Sequence, residues 1–216
     1  LDKIKEVAAI ELNISCPNIK SPQSLPVRQA GTVHSPQKKI KNDGLSTMDY
    51  RIIAQDARST YEVVKSVRKV TKKTLITKLS PNVTDITEIA LAAEEAGSDA
   101  VSLINTLTGM SIDVATKQPK IATVTGGLSG PAISPVAVRM TWEVYQKIKI
   151  PIIGMGGIID TPSALEFIIA GATAVSVGTA NFINPKVTVE IIEGLKEYLI
   201  RNKFENINTL IGSLRI

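Results

Sequence analysis

Ala96-Gly97-Ser98-Asp99-Ala100-Val101-Ser102-Leu103 is answered later in the chain by Ala170-Gly171-Ala172-Thr173-Ala174-Val175-Ser176-Val177. Each copy reads as a helix end, a glycine turn and a short buried strand, the unit that a repeated strand–helix fold requires. Outward from this pair, apolar runs rich in β-branched residues at 7–12, 74–79, 99–104, 150–154 and 173–177 read as buried parallel strands. Amphipathic stretches lie between them. In 59–72, Val63, Val64, Val67 and Val70 share one helical face and Lys65, Arg68, Lys69 and Lys72 the other. Asp85 and Glu88 suit the start of a helix over 84–96, with Gly97 at its C′ position. Thr161 and Pro162 suit the N-cap and first position of a helix through Ala170, closed by Gly171.

The predicted fold is α/β, a (β/α)8 TIM barrel of which only the C-terminal five βα units are present. A closed barrel of this kind needs eight units and about 250 residues. The chain opens Leu1-Asp2-Lys3-Ile4-Lys5 rather than with Met, so the expectation is an N-terminally incomplete barrel domain over 1–216. Open strand edges and an exposed apolar barrel interior are expected to accompany that. Residues 20–47, rich in Pro, Ser, Gln and Lys, break the rhythm and read as a long irregular insertion.

Composition narrows the function classes. A 216-residue chain with 44% hydrophobic residues can bury one full core. One cysteine excludes an intrachain disulfide framework and fits a reducing compartment. No apolar run approaches the roughly 20 residues that span a bilayer, so the expectation is a soluble, cytoplasmic protein without a membrane partner. The net charge of +5 is concentrated in Lys20, Arg28, Lys38, Lys39 and Lys41. No aromatic side chain for base stacking accompanies them, and no nucleic-acid partner is expected.

In a barrel the chemistry sits at the C-terminal ends of the strands. Here those ends carry Asn13 and Cys16; Lys78 followed by Leu79-Ser80-Pro81-Asn82; Ile104-Asn105-Thr106; Gly154-Met155-Gly156-Gly157; and Gly178-Thr179. A long polar connection carries Thr125-Gly126-Gly127-Leu128-Ser129-Gly130. A thiol released among amide donors is where a barrel enzyme would place a base, although a lone cysteine also serves as inert packing. The glycine words on the last two loops are suited to close backbone approach to a phosphate. Lys78 is either a strand-end lysine reaching solvent or a fixed cation beside a cofactor that becomes anionic, as a reduced flavin does. His34 lies in the irregular segment without an assigned role, and no His or carboxylate cluster suggests a metal.

As an ordered set these words resemble the dihydroorotate dehydrogenase family, in the class whose catalytic subunits pass electrons to NAD (class 1B). The matching words are Glu11–Asn18, Lys78–Asn82, Ile104–Met110, Thr125–Pro131, Pro151–Gly157 and Gly178–Phe182. The resemblance implies an FMN-containing barrel that oxidises dihydroorotate to orotate in de novo pyrimidine (UMP) biosynthesis. It implies Cys16 as the general base, with Asn13 contacting FMN and substrate and with Asn105 and Thr106 holding the substrate. Lys78 and Ile104 would lie along the flavin, and Gly130, Gly156, Gly157, Gly178 and Thr179 would hold the ribityl phosphate. It also implies a partner subunit bearing FAD and a [2Fe–2S] cluster, around a homodimer of catalytic subunits within a heterotetramer. Other readings remain at this stage: a related FMN barrel acting on another dihydropyrimidine, or a non-catalytic fragment that retains a phosphate or flavin site.

Overall fold

The computed structural model describes residues 1–15 and 53–215. The irregular segment at 20–47 and Cys16 lie outside the described residues.

Five strands form one parallel sheet: β1 (Ala9–Asn13), β2 (Thr74–Lys78), β3 (Ala100–Leu103), β8 (Ile152–Met155) and β9 (Ala174–Ser176), hydrogen-bonded in that order. Between β3 and β8 the chain forms an antiparallel ribbon of β4 (Leu107–Met110) with β7 (Thr125–Leu128). The short pair β5 (Ile112–Asp113) and β6 (Gln118–Pro119) lies at its far end. The helices α1 (Ala57–Arg68), α2 (Ile86–Glu95), α3 (Ser134–Tyr145), α4 (Thr161–Ala170) and α6 (Val187–Arg201) follow the strands, with the single turn α5 (Ala180–Ile183) after β9.

Alternation along the strands separates two faces. Leu75, Val101, Leu103 and Ile152 point to the helices and are fully buried, or nearly so. Behind them Val144, Phe167 and Ile191 complete the main core. Neighbouring helices pack on one another in chain order, α1 on α2, α2 on α3, α3 on α4 and α4 on α6. They form a single layer, as on a barrel wall and unlike the two layers of a doubly wound sheet. The layer sits close at one point. A Cβ on Gly154 would lie 2.6 Å from Phe167 Cδ1, so the bare glycine backbone lets α4 pack on β8.

The opposite face departs from the expected apolar interior. The paired registers place Ala9, Glu11 and Asn13 beside Thr74, Ile76 and Lys78, then Ala100 and Ser102, Ile153 and Met155, and Ala174 and Ser176. Most of these side chains are small or polar, so this open face tolerates water better than a standard hydrophobic interior would. Each edge strand, β1 and β9, pairs with one neighbour only among the described residues.

Local chemistry explains where the elements begin and end. The Asp85 carboxylate caps α2 by accepting from Thr87 N–H, and Gly97 takes φ +100° just past its end. Arg68 closes the α1–β2 turn, donating to the carbonyls of Thr71 and Lys73 and to the Asp99 carboxylate at 2.8 Å. Asp99 in turn accepts from Leu75 N–H. This turn ends the helix at Arg68, so Val70 lies beyond it and is 77% exposed rather than on the buried face. The α4 cap is Asp160, not Thr161: its carboxylate accepts from Ser163 N–H while Ser163 Oγ answers at the Asp160 backbone, a full capping box. The expected polar connection at 125–130 is in part a strand, β7. No described helix is long and apolar enough to cross a membrane.

The Asp85 carboxyl titrates below the usual carboxylate range, first through the Thr87 hydroxyl and then the Thr87 N–H. A group depressed by folding contributes stability above its unfolded value and loses it as pH falls through its folded one. Loss of this cap in Asp85→Ala is expected to cost about 1 kcal/mol at neutral pH. The gap to the parent should close below about pH 4, as read by urea unfolding at both pH values.

Candidate active site

The parallel register brings the strand ends to one line. Asn13 pairs with Lys78, Lys78 with Ser102, Leu103 with Gly154 and Met155 with Ser176. Ladder bonds continue past them: Ile104 N–H donates to Met155 O at 2.9 Å, and Asn105 N–H to Leu79 O at 3.0 Å. Residues that the sequence scatters over five strand ends thus share one rim.

Beneath that rim lies a cavity of about 290 Å³. Its wall contains Lys78, Ile104, Asn105, Thr106, Gly130, Gly156, Gly157, Gly178 and Thr179. Ser129, Ile133, Met155 and Ser176 complete it. The chemistry is graded across the space. Lys78 supplies a cation at one side, Ile104, Ile133 and Met155 an apolar floor, and the glycine loops a backbone wall.

The glycines divide by what surrounds them. Gly157, at φ +81°, packs so tightly that a Cβ would lie 2.8 Å from Gly130 O and 2.9 Å from Ser134 Cβ. It fixes one loop against the other. Gly130 and Gly178 have nothing within 4 Å of an added Cβ, so their missing side chains leave open volume in the cavity wall. Thr179 Oγ1 donates to Ser129 Oγ at 3.1 Å, tying the loop after β9 to the loop after β7.

A second, smaller pocket of about 60 Å³ adjoins the first at Thr106 and is lined by Ser15, Gln55, Ser80, Asn82, Thr108, Thr125, Gly126 and Gly127. Its polar groups are interlocked. Asn105 Nδ2 donates to Ser15 Oγ at 2.7 Å and to Asn13 Oδ1 at 3.4 Å, and Ser15 Oγ donates to Asn13 Oδ1 at 3.1 Å. Thr106 N–H donates to Asn105 Oδ1, which orients that amide. Gly127 allows the ribbon to lie on Thr106, where a Cβ would come within 2.3 Å of Thr106 Oγ1.

Of the residues singled out from sequence, the cavity at the rim unites Lys78, Ile104, Asn105, Thr106 and all five glycine-loop positions. Asn13 stands outside its wall and joins the site through Asn105 and Ser15. Sequence reasoning missed Ser15 and Asn82 as organising groups. Asn82 Nδ2 donates to Thr106 O at 3.0 Å while its Oδ1 accepts from Thr108 N–H at 2.8 Å, clamping the root of the ribbon. Both residues stand inside words already singled out, and an amide flanking a strand-end proline was the available signal for Asn82.

A family model described as dihydroorotate dehydrogenase matches residues 46–199. The chain is similar to proteins named dihydroorotate dehydrogenase B (NAD(+)), catalytic subunit. That of Caldicellulosiruptor bescii is 49% identical over 210 residues, covering 97% of this chain and 61% of the relative. That of Trichlorobacter lovleyi is 50% identical over 214 residues, 99% of this chain and 62% of the relative. That of Bacteroides thetaiotaomicron is 48% identical over 216 residues, 100% of this chain and 62% of the relative. The chain thus spans about three fifths of the length of these curated relatives.

Asn82→Ala removes both bonds of the ribbon clamp and is expected to cost about 1–3 kcal/mol. Amide exchange at Thr108 should accelerate while exchange at Leu75, in the sheet, changes by the global loss of stability alone. Equal acceleration at both amides would show that Asn82 does not clamp the ribbon locally.

Proposed function

This chain belongs to the dihydroorotate dehydrogenase family, and we propose that it carries the FMN- and substrate-binding wall of an enzyme that oxidises dihydroorotate to orotate in de novo pyrimidine (UMP) biosynthesis. In this reading the five-stranded sheet is part of a (β/α)8 TIM barrel, and 1–216 belong to a single FMN-binding domain. The observation that carries it is the shared cavity. One wall offers a cation, an apolar floor and two glycines whose absent side chains leave room for a ligand.

Those features fit FMN. Lys78 suits the side of a flavin that gains negative charge on reduction, and Ile104 suits the ring plane. Gly130, Gly156, Gly157, Gly178 and Thr179 suit a ribityl phosphate approached by backbone groups. When bound, FMN supplies the acceptor for the hydride that leaves C6 of dihydroorotate.

The remaining work falls to the protein. Cys16 is proposed to take the C5 proton on Sγ; a thiol suits this because its ordinary pKa of ~8.5 lies near neutrality. Asn13, Asn105 and Thr106 are proposed to hold the substrate, Asn13 also reaching the cofactor. The interlocked amides leave little rotational freedom to lose when substrate binds, which favours a fixed orientation. The relatives' printed name, a catalytic subunit with NAD(+), supports a partner subunit and NAD as acceptor; the FAD, the [2Fe–2S] cluster and the assembly are proposed from the family resemblance. Electrons pass to a partner subunit bearing FAD and a [2Fe–2S] cluster and then to NAD. The catalytic subunits pair as a homodimer within a soluble, cytoplasmic heterotetramer.

Anaerobic visible spectra of the FMN-reconstituted chain test this reading. Dihydroorotate should bleach the bound flavin and dihydrouracil should not. Bleaching by dihydrouracil alone would assign another dihydropyrimidine, and no bleaching by either would remove the activity from this chain. Cys16→Ala should retain FMN and slow the bleaching by roughly 10²–10⁴-fold. Gly178→Ala places a methyl in open volume, so its melting temperature should match the parent while FMN affinity falls by roughly tenfold, ~1.4 kcal/mol.

A further inference from the structure

Glu11 lies on the open face of the sheet, within the same word as Asn13, and no part of the proposed chemistry uses it. Its neighbours make it unusual. The register sets Glu11 beside Ile76 and Lys78 beside Ser102, so the carboxylate sits one step below Lys78 on the same face. Glu11 Oε1 is 3.9 Å from Lys78 Nζ, and Glu11 Oε2 accepts from Ser102 Oγ at 2.8 Å. Ser102 is fully buried. A carboxylate from the edge strand is thus held by groups from the next two strands. Lys78 enters the cavity wall and Glu11 does not.

The other residues that this register places on the open face are neutral: Ala9, Asn13, Thr74, Ile76, Ala100, Ser102, Ile153, Met155, Ala174 and Ser176. Among the described residues the face therefore carries one cation and one anion, and they are adjacent. Two consequences follow from elementary electrostatics. A lysine on a four-carbon stem samples many rotamers unless something anchors its ammonium. Any ligand beside Lys78 also feels the lysine charge reduced by the carboxylate behind it; with the two side chains 21% and 40% exposed, solvent screens that reduction in part.

We propose that Glu11 is a positioning residue for Lys78, fixed by the Ser102 hydroxyl, and that it sets how much positive charge Lys78 presents to the cavity. This rests on the flavin reading of that cavity. Glu11 acts through Lys78 and touches no ligand. Its carboxylate keeps the ammonium at the strand end while restraining the preference of the site for a reduced, anionic flavin over the oxidised form.

The test is the midpoint potential and FMN affinity of the reconstituted protein, measured by dye-coupled anaerobic reduction and by fluorescence titration. Glu11→Gln keeps the shape and an acceptor for Ser102 while removing the charge. Its ratio of oxidised to reduced flavin dissociation constants should rise about tenfold, a positive shift of ~30 mV for a two-electron couple. Lys78→Met should shift the potential the other way, and Glu11→Gln in that background should add less than it does alone. Ser102→Ala, which frees the carboxylate without removing it, should move the potential in the direction of Glu11→Gln by a smaller amount. It also provides the test should Glu11→Gln fail to fold. A folded, FMN-loaded Glu11→Gln whose potential is unchanged or lower would overturn the inference while leaving the flavin reading intact. A parent chain that takes up no FMN would overturn the flavin reading, and this inference with it.

Discussion

Asn13 opposite Lys78, Lys78 opposite Ser102, and Met155 opposite Ser176 are pairings of a parallel ladder, and the site depends on their register. Side chains alternate across a strand, so a slip of one residue turns every inward group outward. Such a slip in β2 would aim Lys78 at the helices and bring Thr77, now fully buried and bonded to Ser98, onto the open face. The helix side resists it, because a slip puts either Thr74 in the core site that Leu75 fills with Val64 and Ala96, or the Lys78 ammonium in the fully buried place of Thr77. Packing on one face of the sheet thus fixes the chemistry on the other. The Asp99 carboxylate secures the same register from the strand start, taking both Arg68 and Leu75 N–H.

The site inherits a division of labour from this arrangement. Residues within the ladder, such as Lys78 and Met155, are placed by backbone pairing. Those just past it, Ile104 and Asn105, are placed by two further backbone bonds to Met155 and Leu79. Residues farther out need side-chain clamps, which Asn82, Ser15 and Thr179 provide. The ribbon of β4 and β7 has its own backbone ladder, and at its root it is tied to the loop after β2 by the two Asn82 hydrogen bonds. Its tip bears Asp113, whose carboxyl is held below its ordinary range by the N–H groups of Thr116 and then Ala115. That makes a tight turn at a place where Met110, Ile112 and Val114 stand exposed.

Much of the sheet was legible because its signals are local. Gly97 at φ +100° and Gly171 at φ +124° occupy the helix ends that the repeated words suggested, each leading into a strand of the sheet. The glycine loops were legible as well, since few residue types other than glycine allow loops to pack as Gly157 does on Gly130 and Ser134. The ribbon was not. Its strands are two to four residues long and one is Thr125-Gly126-Gly127-Leu128, with neither the alternation nor the β-branched content that marks a strand. The α4 cap was misplaced by one residue because Thr161 and Asp160 are both good capping types. The Asp160–Ser163 reciprocity that separates them is a three-dimensional fact. The polar open face was hidden for a similar reason: Glu11, Thr74, Lys78 and Ser102 belong to three strands, and their common direction follows only from register.

The most direct measurement is a crystal structure of the chain grown with FMN. The account predicts one FMN in the cavity, with its isoalloxazine beside Lys78 and Ile104 and its phosphate among Gly130, Gly157 and Gly178. Ordered flavin bound elsewhere, or a cavity that stays free of flavin at saturating FMN, would contradict it.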